Sequence, residues 1–430
     1  MSKESKAFGL WSAVFLGIGS MVGAGIFIVI GEAGAIAGNL VWLSFVFGGV
    51  AALLSGYSLA KLALRYPSRG GIVEYLVQTY GEGIFSGAMG VLFYFSQLIA
   101  IAAVAKSFGS YASTFFTIST TSQNIFAIGV VLFFILINLI GASWVAKSEN
   151  IIVIIKVSAL TIFTLIALFF IKPELLSVSK MPPLKDMLFA VGLTFFAYQG
   201  FSIITNTVED MQDPKKNMLR AMIIAILLVA ILYIATSIAV LGNLPLQKVI
   251  ETKDYALAEA AKPIFGEMGF KIMAATALFA TASAINATLY AATEISYTLA
   301  KDGELPKIYT YNVFKSYSGL LISAILIIPM ILFLNLSQIT TIAALVVLII
   351  QGLTHIGHII KIKETNANIV LVAGAAISMF AIAALTIYYT TTHKMPMVGW
   401  YLLSAFILAF VIEVILRVVT KRVIKKQSEG

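Results

Sequence analysis

The chain of 430 residues is 60% hydrophobic and only 11% charged, with mean hydropathy +0.97 and a formal net charge of +9. An average soluble domain carries about 25% charged residues, so this composition suits lipid rather than water. There is no cysteine, which excludes disulfides and thiolate metal sites, and three histidines leave little for a metal cage.

A helix that crosses a membrane needs about 20 apolar residues. Twelve such runs follow one another: Leu10–Ala35, Val41–Leu64, Gly83–Phe115, Ile125–Val145, Ile151–Ile171, Leu188–Thr207, Met218–Leu241, Phe270–Leu299, Leu320–Leu334, Ile339–Ile360, Ile369–Tyr389 and Val398–Val418. The predicted fold is an all-α integral membrane domain of twelve transmembrane helices, occupying 1–430. The first run is too long for a secretory signal and has no small-residue cleavage site after it. The loops around 172–186 and 243–269 are too short for a separate soluble domain.

The loops also predict orientation. Of the 29 lysines and arginines, nineteen fall in loops on the side of the N-terminus, eight on the other side, and Lys106 and Lys156 inside spans. Cytoplasmic loops carry the Lys/Arg excess, so both termini are predicted to be cytoplasmic in a cell-membrane protein. The basic balance thus speaks for topology rather than for nucleic acid. The basic stretch Arg417 to Lys426 is expected to sit near anionic lipid.

Within the first span, GIGSMVGAGIF runs from Gly17 to Phe27. Each glycine destabilises a helix by about 1 kcal/mol relative to alanine, so Gly17, Gly19, Gly23 and Gly25 predict either a break or a close approach of backbones. Gly19-x-x-x-Gly23 is also a helix-packing motif. The sixth span repeats the anomaly in GLTFFAYQGFSIITNTVED, Gly192 to Asp210, with Gln199 and Gly200 at mid-membrane. These spans open each five-span half, spans 1–5 and 6–10. Inverted-repeat transporters place interrupted helices there, and unwound backbone survives in a membrane only where it lines a cavity or is buried in protein. Free N–H groups at a half-helix start suit a carboxylate and free carbonyls suit an ammonium; an amino acid needs both.

Lys156 stands in IIVIIKVSALTIF, apolar on both sides. A charge at mid-span costs at least about 2.5 kcal/mol on insertion scales. Its side chain either snorkels toward Glu149 and the cytoplasmic interface or serves a function inside the membrane. Lys106 is expected to snorkel outward, Glu74 to be a loop charge, and Glu294 to answer helix-end electrostatics. Glu209 and Asp210 read as a structural or gating pair with Lys215, Lys216 or Arg220. His355 and His358 read as interface residues. No nucleophile elbow, phosphate loop or metal-ligand set appears, so neither an enzyme nor a metal protein is expected. A channel, built by symmetric assembly around a filter, fits two interrupted helices in one chain poorly.

Gly17–Phe27 resembles the first-helix signature of the amino acid–polyamine–organocation transporter family. Tyr57–Tyr66, Pro67, Gly70, Gly71, Tyr75 and Gly81 resemble that family's second-helix end and following loop. Phe195 to Tyr198, Gly200, Phe201, Glu209, Asp213, Pro214, Asn217 and Arg220 resemble its sixth-helix signature. Ala300 to Pro306 resembles the loop after its eighth helix. The resemblance is greatest to archaeal proton-coupled, broad-specificity amino-acid transporters. It implies a LeuT-type fold of 5+5 inverted repeats, about 10–171 and 188–360, with helices 1 and 6 interrupted and two extra C-terminal helices, about 369–418.

It also implies roles. Met21 would offer a carbonyl to the substrate ammonium, and Gly23, Ala24 and Gly25 would present N–H groups to its carboxylate. Phe196 would cover the substrate, while Ala197 and Gln199 would offer carbonyls; the position of Gln199 is often aliphatic in the family. Lys156 would carry the coupling proton, with the Gly19 carbonyl and the Ser283 hydroxyl as partners, in place of a sodium ion. The implied activity is proton-coupled symport of amino acids with no cofactor beyond the coupling H⁺. An amino-acid exchanger or a sodium-coupled symporter of the same fold is the alternative. No acidic residue lies on the interrupted segments, so neutral, small or medium L-amino acids are the expected substrates.

Overall fold

The computed structural model describes residues 9–68, 70–141, 143–177, 182–302, 305–392 and 396–420. Lys3, Lys6, Arg69, Lys180, Gly303, Glu304, Lys394 and the basic stretch from Lys421 onward lie outside the described residues, as do the side chains of Ala24, Lys147 and Glu149. The chain is nearly all helical. Its long helices are α1 Leu10–Ala37, α2 Val41–Arg65, α3 Ile84–Ser113, α4 Thr120–Ile140, α5 Ser143–Phe169, α6 Leu184–Tyr198, α7 Pro214–Asn243, α8 Lys262–Asp302, α9 Ser318–Phe333, α10 Leu336–Ile360, α11 Ile369–Thr392 and α12 Pro396–Thr420. Among the described residues, ten segments are long and apolar enough to cross a membrane by length and composition. The strands described are a two-residue antiparallel pair, Asn312–Val313 with Ser316–Tyr317.

α1 is buried almost end to end between α6, α7, α5 and α8. α4 and α12 lie outside, presenting Ile125, Phe133, Ile140, Ile407 and Ile415 to the surroundings. Exposed isoleucine and phenylalanine in such rows belong against lipid, where no polar face is needed.

The predicted break in α1 is a correction: helix is continuous from Leu10 to Ala37. The glycines serve packing instead, on two faces. A Cβ on Gly17 would lie 2.6 Å from Ile204, and one on Gly25 would lie 2.4 Å from the Ala197 carbonyl oxygen. Gly19 meets Val153 at 2.8 Å, and Gly23 meets Ala284 at 3.2 Å and Lys156 Nζ at 3.3 Å. Small residues let helices approach closely, and that gain in packing outweighs the propensity cost.

The sixth span does change character where Gln199 and Gly200 predict it. The α-helix ends at Tyr198 and a 3₁₀ helix runs from Gln199 to Thr207. Stretches of 3₁₀ beyond three or four residues are uncommon and often mark functional hinges. Side chains support this one: Ser202, Thr205 and Thr207 hydroxyls donate to the carbonyls of Gln199, Ser202 and Ile204, each three residues back. Gly200 lets the segment touch α1, since a Cβ there would sit 2.6 Å from Met21 N.

Two charges also depart from expectation. Lys106 does not snorkel; it is 6% exposed and its Nζ donates to Asn124 Oδ1 at 2.7 Å, because a partner across the α3–α4 contact is nearer than water. Glu74 is buried in the short helix Ile72–Tyr80, accepting from Gln78 at 2.6 Å. α8 begins earlier than predicted and kinks at Gly266, whose φ is +64°. His355 and His358 are buried against α2. Ser58 Oγ lies 2.8 Å from His355 Nδ1 and 2.7 Å from His358 Nδ1, and Ser55 and Thr365 meet the other ring nitrogens.

Candidate functional site

Where α1 crosses the α6–3₁₀ junction, the helices enclose a cavity of about 780 Å³. Its wall brings together Gly19, Met21, Gly25, Lys156, Phe196, Ala197, Gln199 and Ser283. Gly23 packs just behind it on Lys156 and Ala284. Ala24 is helical. The cavity runs from this crossing toward the N-terminal end of α1, past Ser12, Phe15, Gly70, Asn206 and Ile295. The opposite end of α1 is covered by the α7–α8 connection.

Lys156 is the one ionisable residue among the described residues of this wall. It is 1% exposed, and Nζ donates to the Gly19 carbonyl at 2.9 Å. The side chain therefore turns inward to α1 rather than along the helix to an interface. Burial of an ammonium is costly unless it is bonded, and Gly19, having no Cβ, leaves its carbonyl open to approach. Ser283 is buried on the same wall.

The carbonyls of Met21 and Ala197 are already engaged. Tyr233 Oη, from α7, lies 2.7 Å from Met21 O and 3.3 Å from Ala197 O. It ties α1 to α6 at the point where both face the cavity. Sequence reading missed Tyr233, because a tyrosine in an apolar run carries no local sign of what its hydroxyl meets. Tyr233→Phe is expected to cost about 0.5–1.5 kcal/mol in thermal unfolding. It should also change the apparent KM for transport, whereas Tyr198→Phe, whose hydroxyl serves Phe45 O away from the cavity, should change stability alone.

A stripe on α3 was also missed: Phe93, Gln97, Ala100 and Val104. Their i, i+4, i+7, i+11 spacing is one helix face, and Gln97 gave the same signal as Gln199, an amide inside an apolar span. α8 contributes Ala284, Ala287, Thr288 and Ala291, small residues that leave the space open. Glu209 is exposed and Asp210 partly so in the turn beyond the 3₁₀ helix, outside the cavity wall.

A mostly apolar chamber that carries a few polar groups, Lys156, Gln97, Gln199 and Asn206 among them, and that reaches toward one end of the helices suits a carrier of small solutes. The amino acid permease family model matches residues 8–421, and the chain belongs to that family, within the amino acid–polyamine–organocation transporters. It is 35% identical to an uncharacterized protein of Methanocaldococcus jannaschii over 98% of both chains. It is 33% identical to the inner membrane transport protein YbaT of Escherichia coli, over 88% of this chain and 89% of that one. It is 26% identical to the serine/threonine exchanger SteT of Bacillus subtilis, over 70% and 69%. The protein is a multi-pass membrane transporter.

Proposed function

We propose that the chain is a secondary active transporter of neutral amino acids, coupled to protons and working by alternating access. Its twelve long helices form two inverted five-helix repeats, about 10–171 and 188–360, followed by α11 and α12. Both termini face the cytoplasm of a cell membrane, in keeping with the Lys/Arg excess on that side. The cavity reaches toward the same side, so the conformation is the one from which substrate leaves inward.

One observation carries the coupling: Lys156 is fully buried on the cavity wall and bonded to the Gly19 carbonyl. A lysine so placed can take a proton when its end of the cavity meets one medium and lose it to the other. With no other ionisable group on the described wall, a cationic or anionic side chain would find no dedicated counter-charge. A zwitterion with a neutral side chain is suited by the side-chain amides of Gln97 and Gln199 and by the ring of Phe196 on the same wall.

Uptake of labelled alanine or glutamine into proteoliposomes under an inward proton gradient tests this reading. The expected result is accumulation that a protonophore abolishes and sodium does not affect. Exchange is the second reading, favoured by the similarity to a serine/threonine exchanger. It would appear as uptake that needs internal amino acid and ignores the protonophore, with Lys156 then a fixed structural cation.

A further inference from the structure

At the far end of α1 from the cavity, Glu32 is 4% exposed. Its Oε2 accepts from Lys253 Nζ at 3.2 Å and from the Ser337 hydroxyl, and Lys253 Nζ also donates to Ser337 Oγ at 2.6 Å. The three residues come from α1, the α7–α8 connection and α10. The connection is seated tightly: a Cβ on Gly31 would lie 1.8 Å from Lys253 O and 2.8 Å from Lys253 Cα, so this α1 position admits only glycine while the connection is docked. Val249, on the same connection, is fully buried and rests against Gly34.

The charges here are unevenly matched. Asp254 adds a second carboxyl beside Glu32 and Lys253. Lys106 of α3 faces Asp254 from a distance, but its ammonium is bonded to Asn124. Tyr111 of α3 also faces Asp254, yet its hydroxyl donates to Phe27 O. Tyr389 of α11 faces Glu32 and Tyr255 faces Asp254. Lys253 is bonded directly to Glu32 and acts on Asp254 only through its charge, and among the described residues Glu32 Oε1 is buried with no hydrogen-bond partner. Burial holds the Asp254 carboxyl above its ordinary range, with Lys253 opposing. A buried acceptor without a donor is destabilising; one proton on the pair removes that deficit.

We propose that Glu32 and Asp254 form a second proton-binding site, separate from Lys156, which takes up one proton when the α7–α8 connection docks on Gly31. From the functional reading it borrows only that this end of the molecule opens. The sign follows from linkage. The docked state binds the proton more tightly than the open, hydrated state. Docking is therefore favoured in acid and lost as pH rises through the docked-state value. The site opens to the side from which its proton came, so it gates the cycle by the pH of that compartment and adds nothing to the protons transported.

The absence of native cysteine permits a direct test on the full chain in proteoliposomes, without substrate or gradient. A single cysteine replaces Val249, and its labelling by an impermeant maleimide is normalised to a cysteine at Phe116, which is 74% exposed. The normalised rate is expected to rise at least about tenfold from about pH 5 to about pH 8, tenfold being one unit of difference in proton affinity. Glu32→Gln and Asp254→Asn, which supply the missing donor permanently, should flatten the profile at the slow, acid rate. Four results would overturn the proposal: an unlabelled Val249 position, a flat parent profile, an unchanged slope in both variants, or faster labelling by Glu32→Gln at every pH with the slope retained. The last would mark Glu32 as a salt-bridge partner only. Because no gradient is used, failure of proton symport leaves this readout untouched.

Discussion

Lys156→Met is expected to abolish uphill, proton-driven uptake while leaving substrate counterflow across the liposome membrane measurable. Methionine keeps the unbranched length of the lysine stem and fills irregular apolar space well, so the change removes the ammonium and little else. The Gly19 carbonyl loses its donor at 2.9 Å, a cost of about 1–3 kcal/mol for a buried acceptor, partly offset because a buried cation no longer has to be accommodated. The protein should therefore fold, and its accumulation ratio under a proton gradient should fall to unity, at least about a tenfold loss, equivalent to about 1.4 kcal/mol per decade. Accumulation retained in this variant would remove Lys156 from the coupling. Loss of counterflow together with accumulation would instead make it a structural cation of the α1–α5 contact.

Gly25→Ala and Gly200→Ala should each cut transport below about a tenth of the parent and destabilise the fold by about 1–3 kcal/mol, the usual cost of overpacking. The new methyl on residue 25 would meet Ala197 O at 2.4 Å and Tyr233 Oη at 2.7 Å; on residue 200 it would meet Met21 N and Ser20 C at 2.6 Å. Backbone atoms of the facing helix cannot swing aside as a side-chain tip can. The α1–α6 contact would have to open at the very place where both helices line the cavity. Gly129→Ala is the control, because nothing among the described residues lies within 4 Å of a Cβ there. It should leave transport unchanged and stabilise α4 slightly, by up to about 1 kcal/mol of helix propensity. Uptake rates and thermal unfolding of the purified variants check both effects. If Gly25→Ala transports normally, α1 and α6 are not held at their observed separation during the cycle.

The long apolar runs were legible because lipid imposes a simple rule: every backbone group must be bonded within the segment, and the side chains outside must be apolar. Composition alone therefore located the helices to within a few residues, apart from α4, α5 and α8, whose first turns lie in polar stretches that hydropathy does not weigh. The polar anomalies Gln199, Gly200 and Lys156 stood out for the same reason, against an apolar background. They are on the wall of the cavity.

What the residues alone could not decide was which of two opposite uses each anomaly serves. Glycine permits a broken helix and also a tight helix contact. In α1 the neighbours Ile204, Val153, Ala284 and Ala197 lie close enough to make it contact, and only residues far away in the chain supply those neighbours. In the sixth span the same residue type stands beside hydroxyls that bond three residues back, and the helix changes form. Lys106 and Lys156 look alike in sequence, each a lone cation in an apolar run. One ends on a side-chain amide of α4 and the other on a backbone carbonyl of α1. Amino-acid type and spacing determined that this chain lives in lipid, where most of its helices run and which residues are costly there. Tertiary structure decided what each costly residue is paired with, because a buried polar group must be bonded and its partner is set by packing, not by sequence distance.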